Sequence, residues 1–193
     1  MTEAEQDVED LVARARAGDR AALGLLYDRL AGRLYRFVLF RIGSHTDAED
    51  VVQRIFLKMI VALPRYQPRG VPFEAWLFRL ARNDVIDHLR VRRSNVPLEA
   101  LVGVPSPARA PDEAAEEAAD LASIRRALGD LTAIQRDVIA YRFIAGLTPR
   151  QVALVMRKRE GTVRALQFRA LEKLRRSLRA DARDERPATK ELK

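Results

Sequence analysis

The sequence predicts an all-α fold in which two small helical domains are joined by a flexible linker, the C-terminal domain being a helix-turn-helix. Apolar residues recur every three or four positions along nearly every patterned segment, which is the period of a helix, and no segment alternates as a strand would. Four prolines between the helical regions, Pro97, Pro105, Pro107 and Pro111, predict a linker. The predicted boundaries are a helical domain at 8–94, an acidic proline-rich linker at 95–111, a helix-turn-helix domain at 112–180 and a disordered tail at 181–193.

The charge of the chain is large and unevenly distributed. Its 193 residues carry a formal net charge of +8, and the sequence pI is about 10.4. Residues 98–120 contain six acidic side chains and one basic one, whereas residues 121–193 contain 18 basic and 8 acidic ones. The basic C-terminal region therefore predicts an anionic partner.

The composition argues against an enzyme, a metalloprotein and a membrane protein. There is no cysteine, and the two histidines, His45 and His88, stand far apart in the sequence. No glycine-rich loop of the phosphate-binding type occurs. No apolar run reaches membrane-spanning length, and the acidic N-terminus lacks the pattern of a secretory signal. We expect a cytoplasmic protein that is not membrane-embedded, has no catalytic activity and needs no metal or cofactor.

Two helices are predicted in the first half of the N-terminal domain. Asp19 is placed to cap a long helix that runs toward Gly43. Thr46 and Glu49 have the spacing of a capping box and predict the start of the next helix. That helix has an unbroken apolar stripe, and Pro64 is expected to end it.

Two further helix starts follow along the chain. Residues 64–72, with prolines and a glycine, predict a loop, after which Phe73 opens a helix that continues past Arg90. Thr132 and Gln135 repeat the capping-box spacing and predict a helix just before the C-terminal motif.

The C-terminal motif has the pattern of a helix-turn-helix. Gly146 is suited to end the preceding helix in the left-handed conformation. Thr148 and Gln151 form a capping-box pattern, with Pro149 at the first helical position. A short apolar helix, the basic turn 157–159 and a second helix follow. Such a motif places its second helix in the DNA major groove.

The second helix of this motif has an apolar stripe and a basic face. Val163, Leu166 and Leu174 lie on the stripe at 100° per residue. Arginines and Phe168 lie on the other side, which suits a phosphate backbone and base edges. A basic helix that only improves solubility is the alternative; the turn pattern and the off-stripe Phe168 favour DNA binding.

Three segments, in order along the chain, resemble bacterial RNA polymerase sigma factors. The segment Asp47–Leu57 is similar to their helix that binds core polymerase, and Phe73–Arg90 to the helix that opens and reads the −10 promoter element. Residues 121–179 resemble the fourth sigma region, which reads the −35 element. A two-domain plan without other regions is that of the extracytoplasmic-function (ECF) group, and the resemblance covers roughly residues 8–179.

The resemblance implies three sets of binding residues. The residues implied to bind core polymerase are Asp47, Asp50, Gln53 and Leu57. Those implied to bind the −10 element are Arg65, Tyr66, Arg69, Phe73, Trp76, Arg79, Arg82, Asn83, Asp87 and Arg90. Those implied to bind the −35 element are Thr148, Arg159, Glu160, Thr162, Arg164, Ala165, Phe168 and Arg169.

Physical reasoning supports these sets and leaves alternatives open. An exposed Leu57 among polar residues is suited to a protein contact, although a single exposed leucine is also common on surfaces. Aromatics stack on unpaired bases while arginines hold phosphates; alternatively, Phe73 and Trp76 are core residues. Asn83 and Asp87 read DNA or make structural hydrogen bonds. His88 contacts DNA or belongs to the surface.

Three positions depart from the family pattern. Arg54 stands where an acidic residue is usual, Arg157 where the turn usually has glycine, and Gln167 where leucine is usual. A non-glycine residue at Arg157 costs about 1 kcal/mol if its backbone is left-handed.

The resemblance implies a sigma factor that binds core RNA polymerase and promoter DNA and directs initiation through the −10 and −35 elements. It also implies an anti-sigma factor as a partner, and a linker that passes near the active-site cleft of the polymerase. Two alternatives remain: a stand-alone helix-turn-helix regulator that binds operator DNA as a dimer, and an inactive sigma paralogue that titrates an anti-sigma factor.

Overall fold

A computed structural model describes residues 3–68, 70–95 and 123–184. All regular secondary structure within these ranges is helical, which confirms the all-α prediction. The predicted linker lies outside the described residues except for Asn95. Residues 181–184 of the predicted tail belong to the last helix, and the rest of the tail lies outside the described residues. The helices are α1 Glu3–Arg16, α2 Arg20–Ile42, α3 His45–Ala62, α4 Phe73–Asn95, α5 at 123–130, α6 Ala133–Ile139, α7 Pro149–Met156 and α8 Glu160–Asp184, with a 3-10 turn at Leu63–Arg65 and a π-helical turn at Ala140–Ile144.

Helix α2 begins and ends where the sequence predicts. The side chain of Asp19 accepts hydrogen bonds from the backbone N–H groups of Ala21 and Ala22, 2.9 and 3.1 Å long. The Ala22 N–H, and then the side chain of Arg14, hold the pKa of Asp19 below its usual value. Gly43 ends the helix with φ of 77°, a left-handed conformation that costs glycine little.

The capping box predicted at Thr46 and Glu49 is wrong. Helix α3 begins at His45, and its N-cap is Ser44, whose hydroxyl accepts a 3.4 Å hydrogen bond from the Asp47 N–H. Gly43 turns the chain so early that Ser44 is already extended and free to cap, which leaves Thr46 inside the first turn. The predicted end is right, because α3 stops at Ala62, just before Pro64.

The later helix starts agree with the sequence. Thr132 and Gln135 make reciprocal hydrogen bonds of 3.0 and 3.4 Å before α6. Thr148 and Gln151 form the predicted capping box of α7, with bonds of 2.7 and 3.2 Å. Gly146 is left-handed, with φ of 70°. The π-helical turn after α6 was not predicted, and it places Tyr141 in the core.

The described chain packs as two compact units, and the first combines α1–α4 with residues 140–163. Buried leucines of α2 and the apolar stripe of α3 form the centre of its core. Phe37 meets Phe78 edge-on, with ring centroids 5.5 Å apart, and stacks on Tyr141 at 4.8 Å. Such aromatic pairs add roughly 0.5–1.5 kcal/mol each beyond the area they bury.

The second unit comprises the described residues among 105–139 and 164–193. Its small core consists of Leu131, Ile139 and Ala170, with Leu128, Leu171 and Leu174 packed against them. At its edge Asp130 accepts hydrogen bonds from Ser177, 2.8 Å long, and from Lys173. The boundary between the units differs from the motif-based boundaries, because residues 140–163 of the helix-turn-helix region pack with the N-terminal helices.

Candidate polymerase and promoter interfaces

One face of α3 presents the residues that the sequence assigns to core binding. Asp50 and Gln53 are exposed, and the side chain of Leu57 is 64% exposed. Asp47 is half-buried, with its carboxylate 3.6 Å from the imidazole of His88 on α4. The buried stripe of the same helix holds this face outward, so α3 offers an apolar side chain among polar ones on a rigid support.

The exposed apolar surface of α3 extends further than the sequence indicates. Ile60 belongs by its spacing to the apolar stripe predicted for this helix, but it is 47% exposed, and Val61 is 80% exposed. Both lie one helical turn beyond Leu57, at positions i+3 and i+4, so the three side chains are neighbours. Their common spacing from Leu57 is the signal that could have identified them.

The structure buries two of the residues assigned to the −10 element, and for Phe73 this agrees with the core alternative that the sequence left open. Tyr66 is 4% exposed and Phe73 is fully buried. Their rings pack edge-on at 5.4 Å, and the Tyr66 hydroxyl donates a 2.9 Å hydrogen bond to the Val71 carbonyl. Burial raises the pKa of Tyr66. In this conformation neither ring can stack on an unpaired base, because both already fill the junction between the loop and α4.

Trp76 is the aromatic of this group that remains accessible. It is half-buried and touches both core aromatics, with ring centroids 5.1 Å from Tyr66 and 5.3 Å from Phe73. One ring face is thus supported by the core while part of the indole is available to solvent. Phe73 itself is fixed by its backbone N–H, which donates a 2.6 Å hydrogen bond to Glu9 of α1.

The polar residues assigned to the −10 element fall into two groups. Arg65, Asn83, Asp87 and Arg90 are exposed, and Asp87 pairs with Arg90 at 2.5 Å. Arg79 and Arg82 are half-buried, and each has a buried Nε without a hydrogen-bond partner among the described residues. Arg69 lies outside the described residues.

Arg79 does make one polar contact within the first unit. Its Nη2 donates a 2.8 Å hydrogen bond to the carbonyl of Leu154 near the C-terminal end of α7. The residue expected to touch DNA is therefore engaged by the first helix of the helix-turn-helix. No pattern in the sequence indicates this contact, because 75 positions separate the two residues.

The predicted −35 face of α8 has the helical phase that the sequence indicates. Arg164, Ala165 and Arg169 are exposed, and Phe168 is 67% exposed, whereas Ala170 is buried. Of the other assigned residues, Thr148, Arg159 and Thr162 are exposed and Glu160 is half-buried. An exposed phenylalanine between arginines is a surface suited to nucleic acid.

The turn between α7 and α8 is left-handed at Arg157, with φ of 53° and ψ of 49°. Its N–H donates to the carbonyls of Ala153 and Leu154, which close the C-terminal end of α7. The position thus adopts the conformation for which glycine is suited, although an arginine occupies it.

Comparisons with known proteins match both halves of the chain. The Sigma-70 region 2 model matches residues 26–95, and the Sigma-70 region 4 model matches residues 127–176. BldN of Streptomyces coelicolor, an ECF RNA polymerase sigma factor, is 34% identical over 176 residues, which are 90% of this chain and 67% of BldN. SigD of Mycobacterium tuberculosis, of the same description, is 34% identical over 181 residues, 91% of this chain and 85% of SigD. The chain is a member of the ECF sigma factors.

A solved structure is also similar to this chain. CnrH in complex with the cytosolic domain of CnrY matches at 31% identity with a TM-score of 0.69, over 91% of this chain and 99% of the CnrH chain.

Membership in this family accounts for both the N-terminal helices and the C-terminal helix-turn-helix. A stand-alone helix-turn-helix regulator needs only the C-terminal motif, whereas the region 2 match spans most of α2 and all of α3 and α4. In the parts of this sigma factor that the structure describes, no helix is both long and apolar enough to cross a membrane. The same parts hold no group of three His, Cys, Asp or Glu side chains arranged to bind a metal ion.

Proposed function

We propose that this sigma factor docks on core RNA polymerase through the exposed face of α3 and directs initiation at promoters whose elements are read by α4 and α8. The observation that carries the proposal is the α3 face, where Leu57 stands 64% exposed beside Asp50 and Gln53. Exposed apolar side chains on a rigid helix, rimmed by polar ones, mark a protein contact site.

The −10 element is assigned to α4, including Arg79, and to the loop before it. Trp76 offers an indole supported from behind, and Asn83 and Asp87 lie exposed on the same helix for contacts with bases. Tyr66 and Phe73 act in this proposal by holding Trp76 and the start of α4 in place. A supported aromatic helps to offset the cost of unstacking a base, which is a few kcal/mol.

The −35 element is assigned to the exposed face of α8. Arg164, Phe168 and Arg169 are available there for base edges and phosphates. The assigned set is completed by Ala165 on the same face and, near the N-terminal ends of α7 and α8, by Thr148, Arg159, Glu160 and Thr162.

The partners and setting follow from the family. CnrH, a relative of known structure, was solved with the cytosolic domain of CnrY, and we assign this chain a protein partner of the same kind, an anti-sigma factor. The chain acts in the cytoplasm, performs no catalysis itself and needs no cofactor.

Transcription with purified core polymerase tests the proposal. A library of random promoter sequences is transcribed with and without the chain, and the start sites are sequenced. We expect a shared pair of upstream elements, enriched only when the chain is present. Equal start sites in both reactions would contradict the proposal.

A matched control separates core binding from DNA binding. The Leu57→Asp variant should lose all chain-dependent starts, whereas Leu25→Asp should keep them, because Leu25 is similarly exposed but lies on α2. The alternative is a stand-alone regulator. It is favoured if the chain alone binds duplex DNA as a dimer and neither variant changes that binding.

A further inference from the structure

A partly buried polar network ties the helix-turn-helix region to the N-terminal helices within the first compact unit. Arg33 of α2 donates two hydrogen bonds to the Ala145 carbonyl, of 2.9 and 2.7 Å, and a third to Glu74 at the start of α4. The other carboxylate oxygen of Glu74 accepts a 3.0 Å hydrogen bond from the side-chain amide of Gln151 on α7. One arginine and one glutamate thus connect α2, α4, the π-helical turn region and α7.

Two of the three side chains in this network are shielded from water, and Arg33 is half-buried. Glu74 is 8% exposed and Gln151 is 2% exposed. Hydrogen bonds to charged groups contribute more than neutral ones, and removing one partner leaves the other buried and unsatisfied. The Phe37–Tyr141 stack lies in the same unit and adds apolar contact between α2 and the π-helical turn. The position of α7 on α2 and α4 therefore depends on a few identifiable side chains.

This docking engages a residue that the proposed function needs for DNA. Arg79 binds the Leu154 carbonyl, at the C-terminal end of α7, where carbonyl groups carry partial negative charge. A phosphate would compete for the same guanidinium. As long as α7 is docked, Arg79 is held by the chain itself.

We propose that the Arg33–Glu74–Gln151 network is a self-inhibitory latch, which holds α7 on α2 and α4 and keeps Arg79 from single-stranded DNA until the latch opens. The latch rests on the proposed function only for the role of Arg79 toward the −10 strand. Opening frees Arg79 and the surface of α4 that α7 contacts, so the chain alone binds single-stranded DNA weakly and the opened chain binds it more tightly.

The Gln151→Glu variant opens the latch with little damage elsewhere. It replaces the side-chain amide that donates to Glu74 with a carboxylate, which has no N–H to donate and sets a second acceptor against the first. Glutamate still accepts the Thr148 N–H, so the capping box of α7 survives. Arg33→Lys attacks the latch from α2, because an ammonium group cannot span Ala145 and Glu74 as the guanidinium fork does.

The chain supplies its own matched controls. Gln135→Glu makes the same substitution in the other capping box and the same change in net charge, but outside the latch. The double variant Glu74→Gln with Gln151→Glu exchanges the two partners, restores the wild-type net charge and should close the latch again.

Fluorescence energy transfer measures opening without polymerase or promoter. The sequence has no cysteine, so dyes go on Glu49→Cys of α3 and Arg150→Cys of α7, both exposed. We expect lower transfer in Gln151→Glu and Arg33→Lys, and wild-type transfer in Gln135→Glu and in the exchanged pair. Unchanged transfer in both opening variants, with helicity kept in circular dichroism, would overturn the latch.

Binding of a short random-sequence single-stranded DNA measures the consequence. We expect Gln151→Glu to bind the DNA about tenfold more tightly than wild type. This is the gain expected if the open state makes up roughly a tenth of the wild-type molecules and nearly all of the variant. Adding Arg79→Gln should remove most of that gain. Lower energy transfer without any gain in DNA binding would also overturn the proposal. The transcription assay tests the proposed function, whereas energy transfer tests the latch without polymerase. A failure of one proposal can therefore be told from a failure of the other.

Discussion

At the scale of single residues, Arg157 is the clearest case of a side chain in a conformation that does not suit it. It is the non-glycine residue with positive φ among those described, and its side chain is exposed. An L-residue in the left-handed region costs roughly 1–2 kcal/mol. The cost could be anticipated from the sequence, because the family pattern has glycine there, but only the backbone angles decide that the turn keeps its usual shape.

Arg157→Gly should therefore stabilise the protein. We expect the free energy of unfolding in urea to rise by about 1 kcal/mol, less the larger entropy of glycine in the unfolded chain. Lys158→Gly is the control, because its φ is not positive, and it should be neutral or destabilising. Equal or lower stability of Arg157→Gly would show that the arginine side chain makes a compensating contact.

Phe168 tests the assignment of the α8 face at the same scale. Because the ring is 67% exposed, Phe168→Ala should change the free energy of unfolding by no more than about 0.5 kcal/mol. Transcription from −35-dependent promoters should fall, by a loss equivalent to about 1–3 kcal/mol if a base contact is removed. Leu178→Ala on the same helix, 39% exposed, is the control that should leave both quantities unchanged. Wild-type transcription by Phe168→Ala would remove this residue from the interface.

At the scale of elements, local patterns predict helices well and their surroundings poorly. The caps at Asp19, Thr132 and Thr148 depend on residues two or three positions apart, and all three are confirmed. The burial of Tyr66 and Phe73 depends on how the loop and α1 meet the start of α4. Such contacts join residues far apart in the chain, and spacing along one helix does not reveal them.

Helix α3 gives the element-scale prediction. Asp50→Arg and Leu57→Asp should each weaken binding to core polymerase by at least about tenfold, since truncation of an interface anchor costs roughly 2 kcal/mol or more. Thermal stability should be close to wild type, because both side chains are exposed. Competition with labelled wild type for core polymerase is the measurement, and Leu25→Asp is the matched control. Wild-type affinity in both α3 variants would exclude this face as the core-binding site.

The apolar end of α3 extends that prediction. Val61→Asp, at a position 80% exposed, should weaken core binding in the same assay if the contact continues past Leu57. A variant with unchanged affinity would limit the contact to the part of α3 before residue 58.

At the scale of the whole molecule, the sequence predicts the function better than the arrangement. The segments at 47–57, 73–90 and 121–179 carry the family resemblance through local patterns, and the matches to regions 2 and 4 confirm it. The packing of residues 140–163 with the N-terminal helices was not predicted. This packing depends on hydrogen bonds from Arg33 and Gln151 to Glu74. Arg33 is 41 positions from Glu74 and Gln151 is 77 positions from it, so no periodic pattern in the sequence predicts these contacts.

As a sigma factor, this chain should make core polymerase open promoter DNA. Permanganate footprinting of unpaired thymines, on promoters selected from the random library, detects that opening. We predict reactive thymines at the −10 element only when core polymerase and the chain are both present, and their loss with Leu57→Asp. If no promoter gives reactive thymines and the chain alone binds duplex DNA tightly as a dimer, the chain does not open promoters as a sigma factor.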